Sequence, residues 1–159
     1  KEYGVLGNLV VAFCVGMTVI IGGLAAGNLS SLVLTFGMLA FLFDLGEEIA
    51  ADSMDLAGDR TRSSRSLAGN QGRAFALRLS VLIFGIFIAL VPVPFLMGWP
   101  GYGYLFVAAV FDFWMIVCVV NLAADRSIEE GRIWIRRLYL SWGVFMILVV
   151  LTRVLPAGT

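Results

Sequence analysis

Residues 31–68 read SLVLTFGMLAFLFDLGEEIAADSMDLAGDRTRSSRSLA, and the apolar first part of this stretch decides the fold. A bilayer core about 30 Å thick is crossed by roughly 20 apolar residues in an α-helix, and residues 31–51 supply such a run. The sequence therefore predicts an all-α polytopic membrane protein whose residues 1–159 form one transmembrane domain. The four further runs that complete five transmembrane helices lie at about 5–26, 74–98, 101–123 and 134–156.

The composition of the whole chain agrees with a membrane setting. Hydrophobic residues make up 60% of the 159 residues, charged residues make up 14%, and the formal net charge is zero. A chain without a basic excess has no electrostatic support for binding nucleic acid. The first apolar run is too long for the core of a signal peptide, so we expect it to remain in the mature protein. Because the chain has no His and both Cys14 and Cys118 lie inside apolar runs, bound metal must rely on carboxylates.

The charges are concentrated in alternate connections between the predicted helices. Residues 52–73 and 124–133 are rich in charge, whereas residues 27–30 and 98–104 carry none. Of the eleven basic residues, all but Arg153 fall on the side of the charged connections. The positive-inside rule then makes 52–73 and 124–133 cytoplasmic loops, with the N-terminus inside. We expect a multi-pass protein of the cell membrane whose acidic segment faces the cytoplasm.

The end of the second predicted helix is an acidic face. At 100° per residue, five carboxylates share an arc of about 80° while Glu47 points away. Such a stack of like charges is best offset by a bound cation, and carboxylate oxygens suit Mg²⁺, which combines them with phosphate oxygens. Along a continuous helix Asp52 and Asp59 would lie about 10 Å apart, so either two ions bind or Gly58 bends the helix. The five carboxylates are those of Asp44, Glu48, Asp52, Asp55 and Asp59.

Arginines follow these acids at Arg60, Arg62 and Arg65. Guanidinium groups match phosphate oxygens with paired hydrogen bonds, so acids and arginines together predict a site for a divalent metal and a pyrophosphate. The alternative is a solvated loop whose arginines only set the topology. Asp44 and Asp112 are ionisable residues inside predicted spans, which favours a shared cavity, although a hydrogen bond between helices explains Asp112 equally well.

Four other features of the sequence bear on the fold or the site, and the last two have both a structural and a functional interpretation. Gly16 and the glycines of residues 22–27 favour close helix packing, and Pro92 with Pro94 indicates a kink near the membrane surface. The residues Arg126, Glu129, Glu130 and Arg132 either cover the site or form a solvated loop. Eight aromatic side chains either line a tunnel or pack and face lipid: Phe13, Phe36, Phe43, Phe84, Phe106, Phe111, Phe113 and Trp114.

At the acidic segment the sequence resembles the UbiA-type intramembrane prenyltransferases, in particular their archaeal digeranylgeranylglyceryl phosphate synthase branch. The resemblance covers the whole chain, and Lys1 with Gly7-Asn8 is similar to the Lys and Gly-Asn pair that opens the fifth helix of that family. Departures are Glu47 where Arg is common, Ala51 for Lys, Ser66 for Thr and Ala68 for Pro. The residues that match the second aspartate-rich motif of the family are Glu48-Ile49, Asp52, Asp55, Gly58-Asp59-Arg60 and Arg65-Ser66-Leu67.

This resemblance implies that the five helices correspond to helices five to nine of a nine-helix fold. The first aspartate-rich motif of the family is absent here, so we expect a missing N-terminal half and an inactive isolated segment. Among the matching residues, the resemblance assigns metal binding to Asp52, Asp55 and Asp59, with Glu48 as a further catalytic residue. It assigns the diphosphate to Lys1, Asn8, Arg60, Arg62 and Arg65.

The implied reaction is Mg²⁺-dependent transfer of a geranylgeranyl group from its diphosphate to the hydroxyl of geranylgeranylglyceryl phosphate, in archaeal ether-lipid biosynthesis. Its partners are an isoprenyl diphosphate donor, a lipid-phosphate acceptor and membrane lipids. A related enzyme acting on an aromatic or chlorophyll-type acceptor is one alternative. An ion-coupled transporter is another, although the arginines beside the acids and the lack of visible inverted repeats count against it.

Overall fold

The computed structural model describes residues 4–55, 67–98, 101–124 and 127–154, with the backbone alone at Leu67, Asn70, Arg153 and Val154. These residues form helices and turns and no strand, which confirms the all-α prediction. The helices are α1 (Val5–Ala25), α2 (Ser31–Met54), α3 (Leu67–Gln71), α4 (Arg73–Leu90), α5 (Val93–Leu96), α6 (Tyr102–Ala123) and α7 (Ile128–Val154).

The long helices have the dimensions of membrane spans. In the described ranges, Val5–Ala25, Arg73–Leu96, Tyr102–Ala123 and Ile128–Thr152 are long and apolar enough to cross a bilayer. Helix α2 has 24 residues, about 36 Å at 1.5 Å per residue, but its acidic residues lower its hydropathy. The acidic residues that lower the hydropathy of α2 are the same residues that predict the metal and diphosphate site. Where the membrane surface cuts each helix, and the correspondence to helices five to nine, remain predictions.

The third predicted span is interrupted rather than continuous. Helix α4 ends at Leu90, and Pro92 precedes the single turn of α5. Proline has no N–H to donate and its ring clashes with the preceding helical turn, which explains the break. The Tyr104 hydroxyl of α6 donates to the Val91 carbonyl at 2.6 Å. This bond satisfies a backbone acceptor at the break.

The connections predicted at 52–73 and 124–133 are partly helical. Helix α2 continues to Met54, residues 67–71 form α3, and α7 begins at Ile128. The Ser127 hydroxyl accepts a hydrogen bond from the Glu130 N–H at 3.1 Å, and serine three residues before glutamate is the spacing of a capping box. Arg132, predicted to lie in a loop, is therefore held on the first turns of a helix.

Helix α2 lies at the centre of the bundle, where it contacts α1, α4 and α7, while α6 packs against α4 and α7. The Phe43 ring of α2 lies 5.8 and 5.5 Å from those of Phe84 and Phe87, and stacks on Trp142 at 5.1 Å. Aromatic packing thus joins helices α2, α4 and α7. Of the eight aromatic residues considered for a tunnel, Phe36, Phe43, Phe84 and Phe111 are buried, and Phe13, Phe106, Phe113 and Trp114 are exposed.

Helices α1 and α2 approach each other closely at Gly16 and Gly37. A Cβ on Gly16 would lie 2.8 Å from the Gly37 carbonyl oxygen, and one on Gly37 would lie 2.8 Å from Cγ1 of Ile20. A Cβ on Gly22 would have no atom of the described residues within 4 Å. Gly16, but not Gly22, therefore serves the close packing that the small-residue runs predict.

Replacing Gly16 with Ala is expected to lower the free energy of unfolding by about 1–3 kcal/mol, because the added methyl group meets backbone that cannot rotate away. The measurement is reversible unfolding of the purified protein in detergent micelles. Gly22→Ala is the matched control on the same helix, and we expect it to be neutral or to add about 0.5–1 kcal/mol. Equal losses for both variants would contradict the close approach at Gly16.

Candidate metal and diphosphate site

The start of α1, the end of α2 and the start of α7 meet at one end of the bundle. Asn8 of α1 contacts Asp52 of α2, and Arg132 of α7 contacts Asp55 beside the last turn of α2. Helices α1 and α2 are antiparallel and are joined by the short turn at residues 27–30. Asn8 near the start of α1 and Asp52 near the end of α2 therefore lie at the same level. Residues from both charged connections, 52–73 and 124–133, therefore lie at this end of the bundle.

Asp52 is a buried carboxylate with a defined partner. Its side chain lies in the last turn of α2 and is 3% exposed, and Asn8 is 4% exposed. The Nδ2 of Asn8 donates to Oδ2 of Asp52 at 2.8 Å. A buried carboxylate is costly unless it is hydrogen-bonded, and a charge-assisted bond of this length is among the stronger ones. Asn8 therefore fixes the orientation of Asp52 from the neighbouring helix.

Asp55 lies immediately beyond the helix rather than on its face. Helix α2 ends at Met54, and Asp55 is its C-cap residue with φ −101° and ψ 10°. Its N–H still donates to the Asp52 carbonyl at 3.3 Å, which keeps the two residues together. The expectation of one helical face continuous through five carboxylates is therefore wrong at Asp55. Asp59 lies outside the described residues.

Arg132 closes over the end of α2. Its Nη2 donates to the Met54 carbonyl at 3.2 Å and to Oδ1 of Asp55 at 3.1 Å. A guanidinium group is favourable at a helix C-terminus, where the last carbonyls carry partial negative charge. Sequence reasoning left the role of Arg132 open because it missed the capping box at residues 127–130, which places this arginine on α7.

Met54 anchors the backbone between the two aspartates. It is 1% exposed, and its sulfur lies 3.6 Å from Nη2 of Arg73 at the start of α4. On the other side, Met54 packs so closely against Gly131 that a Cβ there would overlap its side chain. Helices α4 and α7 thus hold the end of α2 from two directions.

The structure describes three of the other predicted residues, Glu48, Asp44 and Asp112. Glu48 is half-buried one turn before Asp52. Asp44 and Asp112 are half-buried, and each has one buried carboxylate oxygen with no hydrogen-bond partner among the described residues. The structure does not describe Lys1, Asp59, Arg60, Arg62 and Arg65.

The donor set at this end fits an ion that shares its coordination with phosphate. In the part of the chain that the structure describes, no three His, Cys, Asp or Glu residues form a metal-binding group. Mg²⁺ in phosphate-handling sites needs only one or two protein carboxylates, the remaining ligands being water and substrate oxygens. Asp52 and Asp55 supply two carboxylates three residues apart, so the residues present fit such an ion.

A groove of about 450 Å³ runs between α6 and α7. It extends from Arg137 to Leu148 of α7, about 16 Å along the helix. Most of its lining is aliphatic or aromatic, including Phe106, Phe111 and Trp114. The Arg137 guanidinium at one end lies 4.3 Å from the centre of the Trp134 ring. The groove therefore suits a long apolar chain.

Comparison with known proteins gives one consistent match. Residues 1–152 match the UbiA prenyltransferase family. The chain is 33% identical over 140 residues to the digeranylgeranylglyceryl phosphate synthase of Hyperthermus butylicus, covering 82% of this chain and 46% of that protein. It is also 31% identical over 133 residues to the synthase of Korarchaeum cryptofilum, covering 82% of this chain and 46% of that protein. The chain thus spans about half the length of these relatives.

A solved structure from a study of digeranylgeranylglyceryl phosphate synthase in membranes has the same helical arrangement. The TM-score is 0.83 over 91% of this chain and 52% of the other, at 23% sequence identity. At this identity the likeness concerns the fold. It places the described helices in the architecture of a membrane protein about twice as long.

Proposed function

Because the chain belongs to the UbiA prenyltransferase family, we propose that its acidic end holds a divalent metal and the diphosphate of an isoprenyl donor. The observation that carries this proposal is the buried Asp52, oriented by Asn8 at 2.8 Å next to Asp55 and Arg132. The pair has the form of a metal ligand supported by a neighbouring hydrogen bond.

In the proposed reaction a geranylgeranyl group passes from its diphosphate to the hydroxyl of geranylgeranylglyceryl phosphate. The bond between the allylic carbon and the diphosphate oxygen breaks, and its electron pair leaves with the diphosphate. The acceptor oxygen forms the new ether bond and gives up its proton. The names of the relatives support this donor and acceptor.

Each residue of the site has a proposed part in this reaction. Asp52 and Asp55 would hold Mg²⁺, which supplies positive charge to the leaving diphosphate when bound. Asn8 keeps Asp52 aimed at the site, and burial of Asp52 excludes water from one side. By resemblance, Asp59 is a further proposed metal ligand and Glu48 a further proposed catalytic residue, while Lys1, Arg60, Arg62 and Arg65 are proposed to contact the diphosphate.

The apolar parts of the substrates require a path within the membrane. The groove between α6 and α7 offers an apolar lining about 16 Å long, suited to part of an isoprenoid chain. We place the charged end of the site on the cytoplasmic side, because ten of the eleven basic residues of the sequence belong to that side.

The test uses membranes that contain the protein expressed from its complete gene. Radiolabelled geranylgeranyl diphosphate is supplied with geranylgeranylglyceryl phosphate, with Mg²⁺ or with EDTA, and we expect labelled digeranylgeranylglyceryl phosphate only with Mg²⁺. Product that is unaffected by EDTA would contradict the metal site. Absence of product, with donor consumed only when an aromatic acceptor is added, would instead support the related aromatic prenyltransferases.

A further inference from the structure

Arg132 reaches Asp55 across 77 residues of sequence. One guanidinium nitrogen holds two different parts of the acidic segment, the Met54 carbonyl at 3.2 Å and the Asp55 carboxylate at 3.1 Å. Arg132 therefore restrains the side chain of Asp55 and also the backbone that carries it.

The stability of the protein does not explain this contact. The side chains of Arg132 and Asp55 are 59% and 42% exposed, and exposed ion pairs contribute only about 0–1 kcal/mol. The helical backbone that carries Arg132 is nevertheless held in place. Ser127 caps the start of α7, and Gly131 packs against Met54 of α2. The fold thus holds a weakly stabilising pair in a defined place.

The neighbouring arginines of α7 provide a contrast. Arg137 lies over the ring of Trp134, and Arg136, one turn after Arg132, is exposed with no hydrogen bond or ion pair to the described residues. If α7 only presented a basic surface, there would be no reason for one of these three arginines alone to contact the end of α2. The contact is specific to the end of α2.

We propose that Arg132 is a positioning residue that orients Asp55 as a ligand of the divalent metal. Hydrogen bonds to ligating carboxylates set their orientation, and losing such a partner typically lowers metal affinity or activity by 10–100-fold. Arg132 also keeps the Asp55 carboxylate in a defined place before an ion arrives. This inference rests on the proposed function, and it makes the last helix part of the metal site.

The test measures Mn²⁺ binding to the purified protein expressed from its complete gene, with the unreactive donor analogue geranylgeranyl thiolodiphosphate present. The free-ion EPR signal gives the dissociation constant without any turnover. We expect Arg132→Gln to raise this constant roughly tenfold, Arg132→Lys to recover part of the loss, and Arg136→Gln to match the wild type. An unchanged constant in Arg132→Gln, or an equal rise in Arg136→Gln, would overturn the inference.

A double-mutant comparison separates positioning from a general charge effect. If Arg132 acts through Asp55, adding Arg132→Gln to Asp55→Asn should weaken Mn²⁺ binding no further. Additive losses would show that Arg132 acts elsewhere. A wild-type protein that binds no Mn²⁺ would overturn the proposed function itself, whereas normal wild-type binding with an unaffected Arg132→Gln variant would overturn only the role of Arg132.

Discussion

Replacing Asp52 with Asn is expected to reduce the rate of prenyl transfer by about 10²–10³-fold, the scale typical of removing one electrostatic group from a reacting centre. The carbonyl oxygen of the introduced amide can still accept the hydrogen bond from Asn8, so the contact between α1 and α2 is retained. The negative charge that we propose binds the ion is lost. The measurement is the initial rate at saturating donor, with the thermal unfolding midpoint recorded on the same preparation.

Glu129→Gln is the matched control for this variant. It removes one negative charge from an exposed side chain in the first turn of α7, and we expect both its rate and its unfolding midpoint to equal those of the wild type. A wild-type rate in Asp52→Asn would exclude Asp52 as a metal ligand. A rate that falls only together with the unfolding midpoint would assign Asp52 a structural role.

The fold could be predicted because it depends on properties that lie along the sequence. Apolar runs of span length fixed the helices, and the uncharged turn at residues 27–30 required α1 and α2 to be antiparallel. The sequence did not pair Asn8 with Asp52, because the resemblance assigned Asn8 to the diphosphate and Asp52 to the metal. The direction of one amide group depends on how closely two helices approach, and Gly16 with Gly37 sets that approach.

The parts that could not be predicted depend on where helices end and on contacts between distant segments. The acidic face was built on an unbroken helix, whereas α2 stops at Met54 and Asp55 turns away from the helical path. The contact of Arg132 with Asp55 depends on α2 and α7 being packed together. Helices that are apolar on most sides do not reveal which face meets a neighbour, so this pairing needed the structure.

The pair of Asn8 and Asp52 allows structure and chemistry to be separated by exchanging the two residues. Asn8→Asp alone would set two carboxylates against each other at a buried position, with no N–H between them. We expect this variant to lose about 3–5 kcal/mol of unfolding free energy, the range found when a buried charge loses its partner. Asn28→Asp makes the same change at an exposed turn, and we expect its effect to stay within about 0.5 kcal/mol.

The exchange variant, Asn8→Asp combined with Asp52→Asn, restores one donor and one acceptor in the same place. Its unfolding free energy should return to within about 1 kcal/mol of the wild type, the net value of a typical hydrogen bond. Its rate should remain as low as that of Asp52→Asn, because the carboxylate is now carried by α1 instead of lying three residues from Asp55. Recovery of turnover would show that the helix carrying the charge is unimportant, whereas failure to recover stability would show that Asn8 and Asp52 are not paired. Recovery of stability without turnover would mean that the hydrogen bond fixes the position of Asp52 and that the carboxylate must be on α2 to hold the ion.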